Sequence, residues 1–174
     1  MITVCLHGAE STGKSVLAAR LERERGWPWV PEYGRTYCEE NGTELDMADL
    51  LAIAEGQAAE TQAAVAHARA NGSPLLLLDT DQLMTAAWAQ MLFGTVPEVL
   101  MGYAKADHYL IFSPDVPWQD DGTRFFGTAE SRALFAAHAE DMLVRAGVPF
   151  TRISGGWEQR TAQVTEAVQR LLQG

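Results

Sequence analysis

Lys14 and Ser15 end the run Gly8-Ala9-Glu10-Ser11-Thr12-Gly13-Lys14-Ser15, which fits the pattern G-x-x-x-x-G-K-[ST]. Glycines at both ends of such a run let the chain turn tightly and aim successive backbone N–H groups inward, where they cradle an anion. A helix starting behind the loop adds its positive N-terminal end. Phosphate is the natural guest. Lys14 would reach the β- and γ-phosphates of a nucleoside triphosphate, and the Ser15 hydroxyl would ligate Mg²⁺. Glu10, Ser11, Thr12 and Val16 complete the stretch expected to line the nucleotide. Lysine is otherwise scarce, Lys105 being the only other one, so its place here is not a by-product of abundance.

Acids suited to phosphoryl chemistry follow. Asp79 ends the run Leu75-Leu76-Leu77-Leu78, a position from which a carboxylate holds Mg²⁺ directly or through water; a turn or capping aspartate is the plainer role. Asp81, two residues on, either faces the acceptor or caps the next helix. Glu32, in Pro31-Glu32-Tyr33-Gly34-Arg35, is the first choice for a base receiving an acceptor hydroxyl's proton, with an ordinary surface glutamate as its rival. Arg35 either bridges to phosphate or pairs with Glu32.

In Trp118-Gln119-Asp120-Asp121-Gly122-Thr123-Arg124 a glycine hinge precedes an arginine able to swing onto a transferring phosphoryl group and stabilise its charge. This loop, about residues 114–127, reads as a lid, or as an acidic turn before a helix capped by Thr128. Trp29, Tyr33, Tyr37, Trp88 and Trp118 fall near the same places in the chain. One or two could sandwich a flat ring, although packing explains any single one as well.

A scaffold must bring these groups together, and five apolar runs provide it: Ile2 to Leu6, Trp29 to Pro31, Leu75 to Leu78, His108 to Phe112 and Phe150 to Ile153, with helical stretches between. The alternation predicts an α/β fold with a five-stranded parallel sheet flanked by helices. Leu75 to Leu78, apolar at every position, belongs to a central strand covered on both faces, beside the first strand. Helices are expected from Ser15 to Arg25 and from about Met47 to Ala70, the latter stopping at Asn71-Gly72. Two later helices carry apolar stripes, Leu134, Phe135, His138 and Met142 in one and Val164, Val168, Leu171 and Leu172 in the other. In such a sheet ligands lie beyond the carboxyl ends of the strands, where the glycine run, Glu32, Asp79 and Asp81 all fall.

With 174 residues and 47% hydrophobic content, residues 1–174 are expected to form a single domain around one core. A formal charge of −10 argues against nucleic acid as partner, because that binding draws on clustered Lys and Arg. No apolar run approaches membrane-spanning length and the chain opens directly in a strand, so a soluble, cytoplasmic protein acting on a small molecule is expected. Cys5 and Cys38 suggest neither a disulfide framework nor a zinc site, and His7, His67, His108 and His138 lack metal-ligand spacing. A homo-oligomer stays open.

Taken together, the glycine run, Glu32-Tyr33-Gly34-Arg35, Asp79-Thr80-Asp81 and Trp118-Gln119-Asp120-Asp121-Gly122-Thr123-Arg124 resemble the ribosylnicotinamide kinase domain of NadR-type proteins over nearly the whole chain. The resemblance implies a P-loop NTPase fold of the kinase type, with ATP and Mg²⁺ as cofactors. It further implies transfer of the γ-phosphoryl to the 5′-hydroxyl of nicotinamide riboside, giving nicotinamide mononucleotide in NAD salvage. By the same resemblance Gly13, Lys14 and Ser15 bind the triphosphate and metal, and Asp79 supports the metal. Glu32, Arg35 and Asp81 meet the riboside, while Asp120, Asp121 and Arg124 form the lid; Tyr33, Trp88, Trp118 and Asp121 are further expected to contact the substrate. Proteins of that type carry an adenylyltransferase domain ahead of the kinase, and adenylylation is not carried over to this chain.

The alternatives are a P-loop kinase for another nucleoside or small metabolite, a regulatory ATPase or nucleotide switch, and a nucleotide-binding module without turnover. A GTPase is disfavoured. Its nearest guanine-reading lookalike, Ala104-Lys105-Ala106-Asp107, lacks the leading Asn or Thr and precedes its strand.

Overall fold

Five strands lie parallel in the order β2-β3-β1-β4-β5: β1 (Ile2–Gly8), β2 (Trp29–Val30), β3 (Leu75–Asp79), β4 (His108–Phe112) and β5 (Phe150–Ile153). The computed structural model describes residues 1–118 and 127–174. Between the strands run α1 (Lys14–Arg25), α2 (Tyr33–Asn41), α3 (Met47–Ala70), α4 (Gln82–Phe93), α5 (Glu98–Gly102), α6 (Ala129–Ala146) and α7 (Trp157–Gln173). The expected five-stranded parallel α/β sheet is thus present, with the leucine strand beside β1 as its uniform apolarity requires.

Register divides the core into two layers. Val4 pairs with Leu77 and Leu6 with Asp79 across β1 and β3, and Leu6 pairs with Leu110 on β4. Successive side chains alternate between faces, so Val4, Leu6, Leu75, Leu77, Leu110 and Phe112 pack with Leu17 of α1 and Val164 and Val168 of α7. Cys5, Leu76, Leu78, Tyr109 and Ile111 pack on the opposite face with residues of α3, α4 and α6. Among the described residues both faces of the central strands are covered, and the strands' carboxyl ends carry the candidate site.

Local chemistry sets the helix ends. Asp46 accepts from Asp49 N at 3.0 Å while Asp49 accepts from Asp46 N at 2.7 Å, a reciprocal cap that starts α3. That helix ends at Ala70 with Asn71 as its cap, as expected. Thr128 caps α6 through Ser131 N at 3.1 Å. Each stripe needs one correction: Phe135 and Met142 of α6 are buried as expected, with Ala139 and Leu143 beside them, but Leu134 is 50% exposed; in α7 Val164 and Val168 are buried as expected and Leu172 is exposed. An alanine inside a helix is small enough to lie against a neighbour, so apolar size misled the face assignment. Among the described residues no helix is long and apolar enough to cross a membrane.

Candidate active site

β1 leaves the sheet at Gly8, whose φ of 121° and whose nearness to β4 both exclude a side chain: a β-carbon there would stand 2.6 Å from Phe112 O. Gly13, at φ 84°, caps α1 and would meet the Trp157 ring at 3.0 Å. Ser11 also adopts a positive φ, 56°. The loop between these points is held from within. Thr12 Oγ1 donates to Ala9 O at 2.9 Å, and the buried Lys14 ammonium donates to Gly8 O and Ala9 O, both at 2.9 Å.

Asp79 lies at the end of β3, 1% exposed, where the Lys14 charge and the Ser15 hydroxyl both favour its ionised form. Burial outweighs them and pushes its pKa above the usual carboxylate range. Among the described residues no group meets either of its oxygens in hydrogen-bond geometry. Two orphaned carboxylate oxygens beside a serine hydroxyl are a hard oxygen donor set, which fits Mg²⁺. Thr80, next in the chain, is a β-branched residue at φ 71°, and its N–H donates to Leu6 O at 3.1 Å. This unusual backbone turns Asp79 toward the phosphate loop and leaves Asp81 to point elsewhere. Asp81 accepts from Leu83 N at 2.9 Å, capping α4, and from the Tyr109 hydroxyl. Of its two sequence readings, the cap is the one the geometry realises.

Glu32 is the residue before α2, and Gln57 of α3 holds the backbone on both sides of it. Gln57 Oε1 accepts from Tyr33 N at 2.7 Å and its Nε2 donates to Pro31 O at 3.3 Å. Burial, and then repulsion from Asp79, push the Glu32 carboxyl up to about 7, against the opposing pull of Lys14 and Arg35. Arg35 therefore acts on Glu32 and Asp79 together.

One cavity of about 430 Å³ joins these groups. Its phosphate end is lined by Gly8, Glu10 to Val16 and Thr80, with Glu32 and Arg35 at its middle. The far end is apolar, walled by Leu45, Leu50, Ile53, Met84, Trp88 and Phe135. Trp88 and Phe135 rings stand 4.8 Å apart at 55°. Cys38, Gln57 and Thr85 add polar points that the motifs did not single out.

Among the described residues, Tyr33 and Trp118 do not line this cavity. Tyr33 turns onto α3, where Gly56 leaves room for its ring: a β-carbon at Gly56 would stand 2.2 Å from Cε1. Trp118 packs beside Gly127 and Trp29 joins the α1 side of the core. Asp120, Asp121 and Arg124, the body of the expected lid, lie outside the described residues. His7 precedes the loop, but its side chain bonds to α6. Its side chain is fully buried with Nε2 2.9 Å from Ala139 O, and burial pushes it down to about 3. Cys5, His7 and Asp81 bring possible metal ligands within 4.8 Å of one another, but Asp81 is already engaged twice and burial holds the Cys5 thiol neutral.

The AAA_28 family, an AAA domain, matches residues 3–160. The chain is similar to the trifunctional NAD biosynthesis/regulator proteins NadR of Escherichia coli (strain K12), at 28% identity, and of Salmonella typhimurium, at 27%. Each alignment covers 98% of this chain and 42% of the relative, so the chain spans less than half the length of either. Among solved structures, a NadR protein in complex with NR superimposes with a TM-score of 0.76 at 26% identity, covering 97% of this chain and 51% of that one. Another NadR structure holds NAD and AMP-PNP, with a TM-score of 0.74 at 25% identity, covering 99% and 50%. A deoxyadenosine kinase from M. mycoides shares the fold, with a TM-score of 0.63 at 10% identity, over 97% of this chain and all of that one. The fold is that of P-loop kinases.

Proposed function

The chain belongs to the AAA_28 family, and on that footing we propose that it is an ATP-dependent kinase that phosphorylates the 5′-hydroxyl of nicotinamide riboside, yielding nicotinamide mononucleotide. The observation that carries this reading is the single cavity with a phosphate loop at one end, an aromatic and apolar pocket at the other, and an acid between them. The NadR relatives are named for NAD biosynthesis, and one solved NadR holds NR, which supports the choice of acceptor. Nicotinamide riboside carries a pyridinium cation, which the Trp88 face and the Glu32 and Asp79 charges attract more than they would a neutral base.

In this mechanism Lys14 leaves the Gly8 and Ala9 carbonyls and turns to the β- and γ-phosphates, while the loop's N–H groups hold the rest of the triphosphate. Ser15 and Asp79 would hold Mg²⁺, which neutralises charge between the phosphates when bound. Glu32, whose carboxyl titrates near neutrality, takes the proton of the 5′-hydroxyl as that oxygen bonds to the γ-phosphorus and ADP departs. Arg35 balances the charge on both acids. Arg124 keeps the role of a lid cation on the phosphoryl group. The test is product identity: ATP, Mg²⁺ and nicotinamide riboside are incubated with the protein and followed by ³¹P NMR. A new phosphomonoester matching nicotinamide mononucleotide is expected; phosphorylation of deoxynucleosides alone would move the assignment to a nucleoside kinase.

A further inference from the structure

Arg160, in the first turn of α7, is the largest fully buried side chain among the described residues, at 1% exposure. It gathers three loops. Nε donates to Gly155 O at 2.7 Å, Nη1 to Thr12 O at 3.3 Å and Nη2 to Ser113 O at 2.9 Å. The same guanidinium pairs with Asp115, which also accepts from Gly155 N at 2.7 Å, and it lies over the Phe112 ring at 5.8 Å. One planar cation thus ties the phosphate loop to the exits of β4 and β5.

Two cations grip this loop, Lys14 within the lining of the cavity and Arg160 outside it, and they differ in what phosphate does to them. Lys14 holds Gly8 O and Ala9 O from inside the cradle, so it must release them to reach a phosphate. Arg160 and its partners Ser113, Asp115 and Gly155 lie outside the cavity lining, so a phosphate seated there does not compete for its bond to Thr12 O. We propose that Arg160 is the positioning residue that keeps the phosphate loop in its nucleotide-binding shape after Lys14 has let go. The proposal rests on the reading of the loop as a nucleotide site. It explains why a guanidinium stands here: only a planar fork with several fixed donors reaches a loop carbonyl, two strand-exit carbonyls and a carboxylate at once.

The test compares wild type with Arg160→Lys and Arg160→Ala by titration with Mg²⁺–AMP-PNP, which needs no acceptor, alongside thermal unfolding and steady-state kinetics. Arg160→Lys keeps the charge but loses the fork, so nucleotide affinity should fall about tenfold or more while KM for the acceptor holds. In Arg160→Ala, added guanidinium at millimolar concentration should restore part of the lost nucleotide affinity. Lysine and alanine variants that bind AMP-PNP as wild type does, whatever their melting temperatures, would overturn the proposal. Should Arg160→Ala fail to fold, the lysine variant decides alone. A wild-type protein that does not bind AMP-PNP removes the nucleotide site itself and this role with it, a result distinct from tight wild-type binding with unaltered variants.

Discussion

The two ends of the cavity are made differently. The phosphate end is nearly continuous in sequence, Gly8 to Ser15, and does its work with backbone groups whose directions are fixed by two glycines at positive φ. The end proposed for the acceptor is assembled from α2, α3, α4 and α6, and presents side chains such as Trp88 and Phe135. A site made of backbone tolerates little change in the chain that forms it. A site made of side chains on several helices can be retuned one residue at a time, which is where acceptor choice should reside.

Lys14→Ala breaks the phosphate end hardest. Turnover, followed as ADP release, should fall roughly 10²–10³-fold or more, as when a transition-state donor is removed. The fold should survive, because Thr12 still donates to Ala9 O and Arg160 to Thr12 O. Unchanged turnover would take the phosphate role from this loop.

Glu32→Gln separates chemistry from binding at the middle of the cavity. A fall in kcat of roughly 10²-fold is expected, together with loss of the pH profile, which in wild type should rise through about 7 as Glu32 ionises. Stability should move the other way. The folded protein binds the Glu32 proton more tightly than the unfolded chain does, so its contribution is full below the ordinary carboxylate range and lost as pH rises through about 7. At pH 8 the Glu32→Gln protein should therefore melt higher than wild type, with the gap closing toward pH 4. Identical melting curves at both pH values would place Glu32 in water.

Trp88→Ala should strike only the acceptor end: KM for nicotinamide riboside up roughly tenfold, with nucleotide affinity unchanged. Equal losses for both substrates would mean that Trp88 is plain packing for Phe135. Gln57→Leu is the mildest of these changes. Losing its bonds to Pro31 O and Tyr33 N should cost about 1–2 kcal/mol in chemical denaturation and lower kcat a fewfold by loosening Glu32. A stability loss with kcat unmoved would show that Glu32 holds its place without Gln57.

The same contrast governs what was legible in the sequence. The phosphate loop could be read because its residues are consecutive and glycine spacing is itself the mechanism. The sheet could be read because fully buried parallel strands are apolar at every position, as Leu75 to Leu78 are. Leu45, Cys38, Thr85 and Phe135 come from separate segments, so no local pattern marks them as neighbours. Gln57 and Arg160 escaped for another reason: a polar residue on a helix reads as surface until the carbonyls it must satisfy are known. Tyr33 follows β2 in the sequence, which suggests a place at the site, whereas α2 begins there and turns the ring onto Gly56.

On the proposed function, phosphoryl transfer at the backbone end depends on the molecule seated at the side-chain end. Initial rates of ADP release from ATP and Mg²⁺ with nicotinamide riboside, with a deoxynucleoside panel and with no acceptor, using Lys14→Ala as blank, test it most directly. ADP formed with nicotinamide riboside and matched mole for mole by nicotinamide mononucleotide is the expected result. ADP released at the same rate without any acceptor would contradict it and make the protein a nucleotide hydrolase or switch.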